Sequence, residues 1–240
     1  MSPSLAGRLS TVLTEDAEVV VELERRKSRF LTVLRRTPTL EDAQALVDRL
    51  RREHHTARHH CSAWVIGPSQ ELRRGNDDGE PSGTAGAPML EALTHATTMD
   101  GRQDLTDVTA VVVRWFGGTL LGAGGLVSAY SDSVVAAVEQ AHAHGLLRRR
   151  RRLRQVSLPA PVAVVGRWEN ELRAAGVTVM STEYSTEYST EYSTDATARL
   201  SLAVDDTAQD REDLEARLAQ LSSGRPCLQE DGHIWVEQRP

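Results

Sequence analysis

The sequence predicts an α+β protein of two domains, residues 1–145 and 146–240, on three observations. Strand-like alternation and helix-like periodicity succeed one another along the whole chain. The part after Gly145 reads as β-α-β-β-α-β, a complete small domain by itself. A length of 240 residues, set against about 150 per domain, leaves room for one large or two small domains.

In the first part, Val19–Glu24 and Phe30–Leu34 form an extended pair around the charged turn Arg25-Arg26-Lys27. Thr39, with Asp42 three residues on, caps a helix in which Leu40, Ala43, Leu46, Val47 and Leu50 recur at helical spacing; Arg49, Arg51 and Arg52 take its other face. Cys61–Ile66 is a short strand closed by Gly67-Pro68, and a polar, glycine-bearing loop runs from there through Gly86. Pro88 suits the first turn of another helix. The β-branched run Thr109–Phe116 suits a buried strand. The glycine cluster Gly117–Gly125 then leads into a helix with Leu126, Tyr130, Val134, Ala137, Val138 and Ala141 on one face, and Gly145 stops it.

In the second part, Leu153–Leu158 is a strand, Val164, Val165, Trp168, Leu172 and Ala175 mark a helix ending at Gly176, and Val177–Thr182 is a second strand. Ala198, Leu200, Leu202 and Val204 alternate as a third. Thr207 and Asp210 open a helix with Leu214, Leu218 and Leu221, Gly224 closes it, and Cys227–Val236 is the last strand. That order is the split βαβ, or ferredoxin-like, arrangement. Residues 181–194 interrupt it: Ser181-Thr182-Glu183-Tyr184 recurs at Ser185 and Ser189, and Ser193-Thr194 begins a fourth copy. A period of four is a multiple of the strand period, so Thr182, Tyr184, Thr186, Tyr188, Thr190 and Tyr192 share one face of an elongated hairpin. The run reads as a slippage expansion of one native copy, against a binding arm or a tyrosine-phosphorylated tail.

Charge excludes one class of function. Lys plus Arg is 28 against 34 Asp plus Glu, a net charge of -6, so the chain does not coat nucleic acid by bulk positive charge. Neither part is basic: residues 1–145 hold 15 basic and 19 acidic side chains, and residues 146–240 hold 13 and 15. Any polyanion site is therefore local. The 27 arginines to the single Lys27 reflect the codon bias of a GC-rich genome. The longest apolar run, Val134–Val138, is far short of the ~18 residues that span a bilayer, and Met1–Ser10 lacks the apolar core of a signal peptide. A soluble cytoplasmic protein without a membrane partner is the expectation. Cys61 and Cys227 form no ladder, in keeping with a reducing compartment.

Four clusters can carry chemistry. A buried strand ends in Arg114, and Gly117, Gly118, Gly122, Gly124 and Gly125 follow before a long helix. Free amides at such a helix start, with the Arg114 fork, can hold a phosphate or carboxylate; the same glycines also serve tight packing of loop on sheet. The spacing is neither GxGxxG nor a Walker loop. The loop Asn76–Gly86 sets Asp77, Asp78 and Glu80 beside Ser82 and Thr84, which suits an ordered turn better than a calcium loop. His54, His55, His59, His60 and Cys61 lack the second ligand pair that zinc needs, so no metal and no cofactor are expected. His59 and His60 alternate across a strand, so at most one should share a pocket with Asp77 or Asp78. A Cys61–His nucleophilic pair is the alternative to a buried core thiol. Finally, Arg148–Arg152 with Arg154, including Arg148, Arg150 and Arg152 as phosphate contacts, is either an RNA-binding stripe or a charged, solvated edge strand.

Four segments together closely resemble the IMPACT/YigZ family (uncharacterised protein family 0029). They are Lys27-Ser28-Arg29-Phe30, Arg58–Trp64, Asp77–Gly86 with Pro88, and Val112–Gly118 with Leu121–Leu126. Trp115 stands where Tyr is commoner in the family. The resemblance implies an N-terminal domain of the ribosomal protein S5 domain 2-like fold and a C-terminal ferredoxin-like domain similar to the last domain of elongation factor G. Eukaryotic members regulate translation by competing with a starvation-sensing kinase for its activator, through an extra N-terminal domain expected to be absent here. The expected function is a non-catalytic factor of translation whose partner is the ribosome, RNA or a translation factor. Its contacts would include Lys27, Arg29, His59, His60 and the Arg114 glycine loop, rimmed by Asp77, Asp78 and Glu80. Two alternatives remain: an enzyme acting on a phosphorylated or nucleotide ligand in a His59, Asp78, Arg114 and Gly124 cleft, since the fold group includes small-molecule kinases, and a module that binds only protein.

Overall fold

A computed structural model of the chain describes residues 9–184, 197–222, 224 and 227–238. They belong to two compact units, Met1–Arg150 with Glu237–Pro240, and Arg151–Val236.

The N-terminal unit contains β1 (Leu9–Leu13), β2 (Glu18–Arg25), β3 (Ser28–Arg36), α1 (Leu40–Glu53), β4 (His59–Ile66), β5 (Leu72–Asn76), α2 (Gly86–Thr94), β6 (Val108–Trp115) and α3 (Gly122–Ala143). Its main sheet has the order β2-β3-β6-β4-β5, and every pairing given for it is antiparallel. β6 is central and buried on both faces, which is why its sequence is a continuous β-branched run rather than an alternating one. Ala110 and Val112 face α2 and α3 with Phe30, Cys61, Met89, Tyr130 and Val134. Val111 and Val113 face the other way, onto Ala43, Leu46, Val47 and Leu50 of α1. Each fully buried Leu or Val of that α1 stripe stabilises by roughly 1.5–3 kcal/mol. Thr39 caps α1 as its spacing predicts, accepting from the Asp42 N–H at 3.1 Å.

Two strands depart from the sequence reading. β5 lies inside the stretch expected as loop, and all five of its residues are exposed. No burial period marks it, since its pairing with β4 rather than its own side chains makes it a strand. β1 is the other: Ser10 and Thr11 are buried although polar, so its continuous apolar signal is two residues long. Thr11 is tied down by Asp104, whose carboxylate accepts its hydroxyl at 2.7 Å.

The strand β7 (Leu147–Pro161) crosses the unit boundary and is followed by α4 (Val162–Ala174), β8 (Thr178–Tyr184), β9 (Thr197–Asp205), α5 (Ala208–Ser222) and β10 (Gln229–Glu237). β7 pairs with β9 from Leu153↔Asp205 to Pro161↔Thr197, β8 pairs with the far side of β9, and β10 pairs with β7. β7 is thus flanked on both sides, and the expectation of a solvated edge strand is corrected: in the order β10-β7-β9-β8 the outer strands are β8 and β10. Val156, Leu158, Leu200 and Leu202 pack there against Val165, Trp168, Leu172, Leu214 and Leu218. The first Ser-Thr-Glu-Tyr copy ends β8, and the hairpin expected for residues 185–194 lies outside the described residues. Among the described residues no helix is long and apolar enough to cross a membrane.

Candidate functional site

Strand register brings the sequence-predicted residues of the N-terminal unit to one end of its sheet. Phe30 and His59 both lie opposite Arg114, and Arg29 lies opposite Trp115. The β2–β3 turn, the start of β4 and the end of β6 therefore meet. The loops after β5 and β6 close over the same end, bringing in Glu80 and Gly117.

The centre of this end is a buried polar network. Glu80 accepts from Arg114 Nη1 at 2.5 Å and from the Tyr130 hydroxyl at 2.7 Å, with both the Glu80 and Arg114 side chains almost fully buried. Arg114 Nη2 also reaches Ser28 Oγ at 3.4 Å, and its guanidinium lies 5.4 Å from the Phe30 ring centroid. Cys61 Sγ stands 3.3 Å from the Tyr130 oxygen and 3.0 Å from the Asp77 carbonyl. Burial pushes both the Cys61 thiol and the Tyr130 phenol far above their ordinary ranges, so neither supplies a nucleophile near neutral pH. His59 Nδ1 is 2.9 Å from the Asp78 carbonyl, which assigns it the proton and turns Nε2 toward Glu80 at 3.8 Å.

Asp78 meets both histidine residues through different atoms. Its carbonyl takes the His59 ring and its carboxylate takes the His60 backbone N–H at 2.6 Å. Burial holds the His60 imidazole below its ordinary range, with Asp78 opposing part of the shift.

Asp77 organises the loop. Its carboxylate accepts from the N–H groups of Gly83 (2.8 Å), Ala85 (3.0 Å) and Gly86 (2.8 Å), capping α2, whose own Ala85 supplies no side-chain cap. Burial raises the Asp77 pKa, but the three amides more than offset it and hold the carboxyl below its usual range. Its contribution is complete above the unfolded value of about 3.9 and disappears as pH falls through the lower folded value. Asp77→Ala is expected to cost about 1.5–3 kcal/mol at pH 7, the scale of hydrogen bonds to a charged group, with a gap to wild type that closes in acid. Urea midpoints followed from pH 7 into acid check this; a gap that widened in acid would contradict the capping role. Ser82 is exposed, and Thr84 closes the turn on the Pro81 carbonyl at 2.6 Å.

The rim of the same end is cationic. Arg26 and Lys27 stand in the β2–β3 turn, Arg29 follows in β3, Arg52 is in the last turn of α1 and Arg58 precedes β4; among the described residues no carboxylate lies within 4 Å of Arg26, Lys27, Arg52 or Arg58, whereas Arg51 is paired to Asp78 at 2.6 Å. Arg29 stacks 3.9 Å from the Trp115 ring centroid, and His54 meets that ring edge-on. Arg26 and Lys27 occupy the two central positions of a two-residue hairpin with φ of 47° and 65°. Left-handed backbone costs a non-glycine residue roughly 1–2 kcal/mol, and Asn-Gly is the relaxed pair for such a turn. The turn is held by Gly117, whose N–H donates to Ser28 Oγ at 3.2 Å and whose absent Cβ would overlap the Lys27 carbonyl. Gly118, Gly122 and Gly124 face open space, and Gly125 packs on Leu121.

The junction arginines stand differently. Arg149 pairs with Asp100, Arg150 with Asp107 at 2.8 Å, Arg151 with Asp205 at 2.6 Å, Arg152 with Asp206, and Arg154 with Asp206 at 2.9 Å. Arg148 donates to the Gly145 carbonyl at 2.7 Å. The Arg114 fork is likewise engaged by Glu80. Among the described residues no three metal-ligating side chains converge. Arg52, Arg58 and Phe116 are not among the sequence-predicted site residues, and Tyr130, on the apolar stripe of α3, belongs to the polar network through its hydroxyl. A polar hydroxyl on an otherwise apolar helix stripe was the available signal for Tyr130; the exposure of Phe116 had none, since it ends a buried run.

Residues 26–138 match the Impact N-terminal domain family. The chain is 40% identical over 167 residues to IMPACT family member YvyE of Bacillus subtilis, an alignment spanning 70% of each chain. It is 49% identical over 133 residues to an IMPACT family member of Haemophilus influenzae, covering 55% of this chain and 61% of that one. With IMPACT family member YigZ of Escherichia coli it shares 49% over 126 residues, 52% of this chain and 58% of the relative. A solved structure described only as that of a hypothetical protein superposes with a TM-score of 0.60 at 34% identity, covering 97% of this chain and 99% of that one. The four motif segments, their convergence on one sheet end and these relatives make the chain a member of the IMPACT family.

Proposed function

We propose that this IMPACT family member is a non-catalytic cytoplasmic factor of translation that binds RNA, in the ribosome or free, through the cationic end of its N-terminal unit. The observation carrying the reading is the set Arg26, Lys27, Arg52 and Arg58, which has no carboxylate partner among the described residues and sits on the β2–β3 turn, the end of α1 and the α1–β4 loop of a unit with more acidic than basic residues. Local surplus charge of this kind is what a phosphate backbone selects. The junction arginines carry less of the argument, because carboxylates already hold five of the six. The enzymatic alternative draws little support from a buried, proton-retaining Cys61 and Tyr130. The same proposal takes the N-terminal unit as S5 domain 2-like and the C-terminal unit as ferredoxin-like, the latter on its β10-β7-β9-β8 order.

Ribosome co-sedimentation across a salt series tests it. Binding is expected to fall steeply with salt, with the fourfold change of Arg26, Lys27, Arg52 and Arg58 to Ala removing most of it, and Arg148, Arg150 and Arg152 to Ala removing little. Absent or salt-independent binding overturns the proposal.

A further inference from the structure

We propose that this cationic end grips single-stranded RNA by one unpaired nucleotide, its base stacked on Phe116 and its flanking phosphates against Arg26 and Lys27. The inference rests on the RNA reading above and narrows it to one form of RNA.

Three aromatic rings gather near this end besides Phe116, and each is engaged. Phe30 is buried edge-on against Tyr130, and Trp115 is covered by Arg29 and bordered by His54. Phe116 is 40% exposed at the point where β6 runs out. The Arg114 guanidinium lies 5.7 Å from its ring centroid, so the exposed ring is anchored beside the buried ion pair. Gly117 and Gly118 follow it without side chains, and open space surrounds the Cβ position of Gly118. An anchored aromatic with bare backbone beside it is a stacking platform, and stacking accepts any base because every base has a π-face.

The phosphate contacts follow from the turn. Gly117, the residue after Phe116, packs on the Lys27 backbone, and Arg26 Nη1 donates to the Leu120 carbonyl at 3.3 Å. The Arg26 guanidinium and the Lys27 backbone are thus held next to the platform, and both residues are exposed. Left-handed φ at both positions is strain that Asn-Gly would relieve, and strain of this kind persists where the side chains are needed. A duplex keeps its bases stacked inside, so it offers phosphates to Arg26 and Lys27 but nothing to Phe116.

Fluorescence anisotropy with a short unstructured oligouridine RNA, and with a duplex RNA of equal length, separates the possibilities. The single strand is expected to bind about tenfold more tightly than the duplex, the scale of one stacked base. Phe116→Leu should weaken single-strand binding roughly tenfold with an unchanged salt slope, while Phe116→Trp retains it. Arg26→Asn with Lys27→Gly should lower the salt slope by about 1.4 units, near 0.7 for each phosphate contact, while raising the melting temperature. Equal affinity for duplex and single strand, a silent Phe116→Leu, or an unchanged salt slope in the turn variant overturns the single-nucleotide grip and leaves the broader RNA reading standing. Binding of neither RNA, in a protein whose melting curve is intact, overturns both.

Discussion

Glu80→Ala is expected to destabilise the N-terminal unit by about 3–5 kcal/mol, the cost of leaving one member of a buried ion pair alone. The Glu80 carboxylate is the acceptor for both Arg114 Nη1 and the Tyr130 hydroxyl, and its removal strands a guanidinium whose remaining side-chain oxygen partner among the described residues is Ser28 Oγ at 3.4 Å. Solvent does not rescue it, because Arg114 is only 5% exposed. The double change Glu80→Leu with Arg114→Met should cost far less than either single change, since it removes both charges together. Native-state hydrogen exchange of β4 and β6 peptides is the suitable measurement, because a chain of two compact units need not unfold in one transition. A Glu80→Ala loss below about 1 kcal/mol would place the pair among ordinary surface salt bridges and remove the reason for regarding this loop as locked onto the sheet.

The same pair shows where reading from sequence stopped. Elements with a burial period were legible: α1 from its apolar spacing and Thr39 cap, β6 from its β-branched run, and the strand and helix alternation after Gly145. β5 was not, because a strand exposed on every residue carries no period, and its existence depends on pairing alone. At the site, sequence brought Arg114, His59 and the Asp77–Glu80 loop into consideration together but not the direction of their charges. Whether an arginine is free or neutralised depends on carboxylates far away in sequence: Glu80 lies 34 residues before Arg114, and Asp206 lies 52 after Arg154. A run of arginines is conspicuous in one dimension, while the cations without a carboxylate partner among the described residues, Arg26, Lys27, Arg52 and Arg58, become apparent only when the β2–β3 turn, the end of α1 and the α1–β4 loop are seen together.

Glycines raise the same difficulty, and substituting two of them should give opposite results. Gly117→Ala is expected to destabilise the N-terminal unit by about 1–3 kcal/mol or more, since its Cβ would overlap the carbonyl carbon and oxygen of Lys27 and crowd the Ser28 nitrogen, all backbone atoms that no rotamer change can move aside. Relief requires the β2–β3 turn to separate from the loop after β6, which also breaks the Gly117 N–H to Ser28 Oγ bond and carries Arg26 and Lys27 away from Phe116. RNA affinity should therefore fall together with stability. Gly124→Ala should instead stabilise by a few tenths to about 1 kcal/mol, because the residue sits inside α3, has no positive φ, and would meet nothing within 4 Å. In sequence the two positions belong to one glycine cluster, and their difference arises entirely from a hairpin turn some ninety residues earlier in the chain. Urea midpoints and anisotropy on the two variants check both signs. A Gly117→Ala protein with wild-type stability and RNA binding would mean that turn and loop separate freely, and the fixed geometry on which the nucleotide grip depends would fail with it.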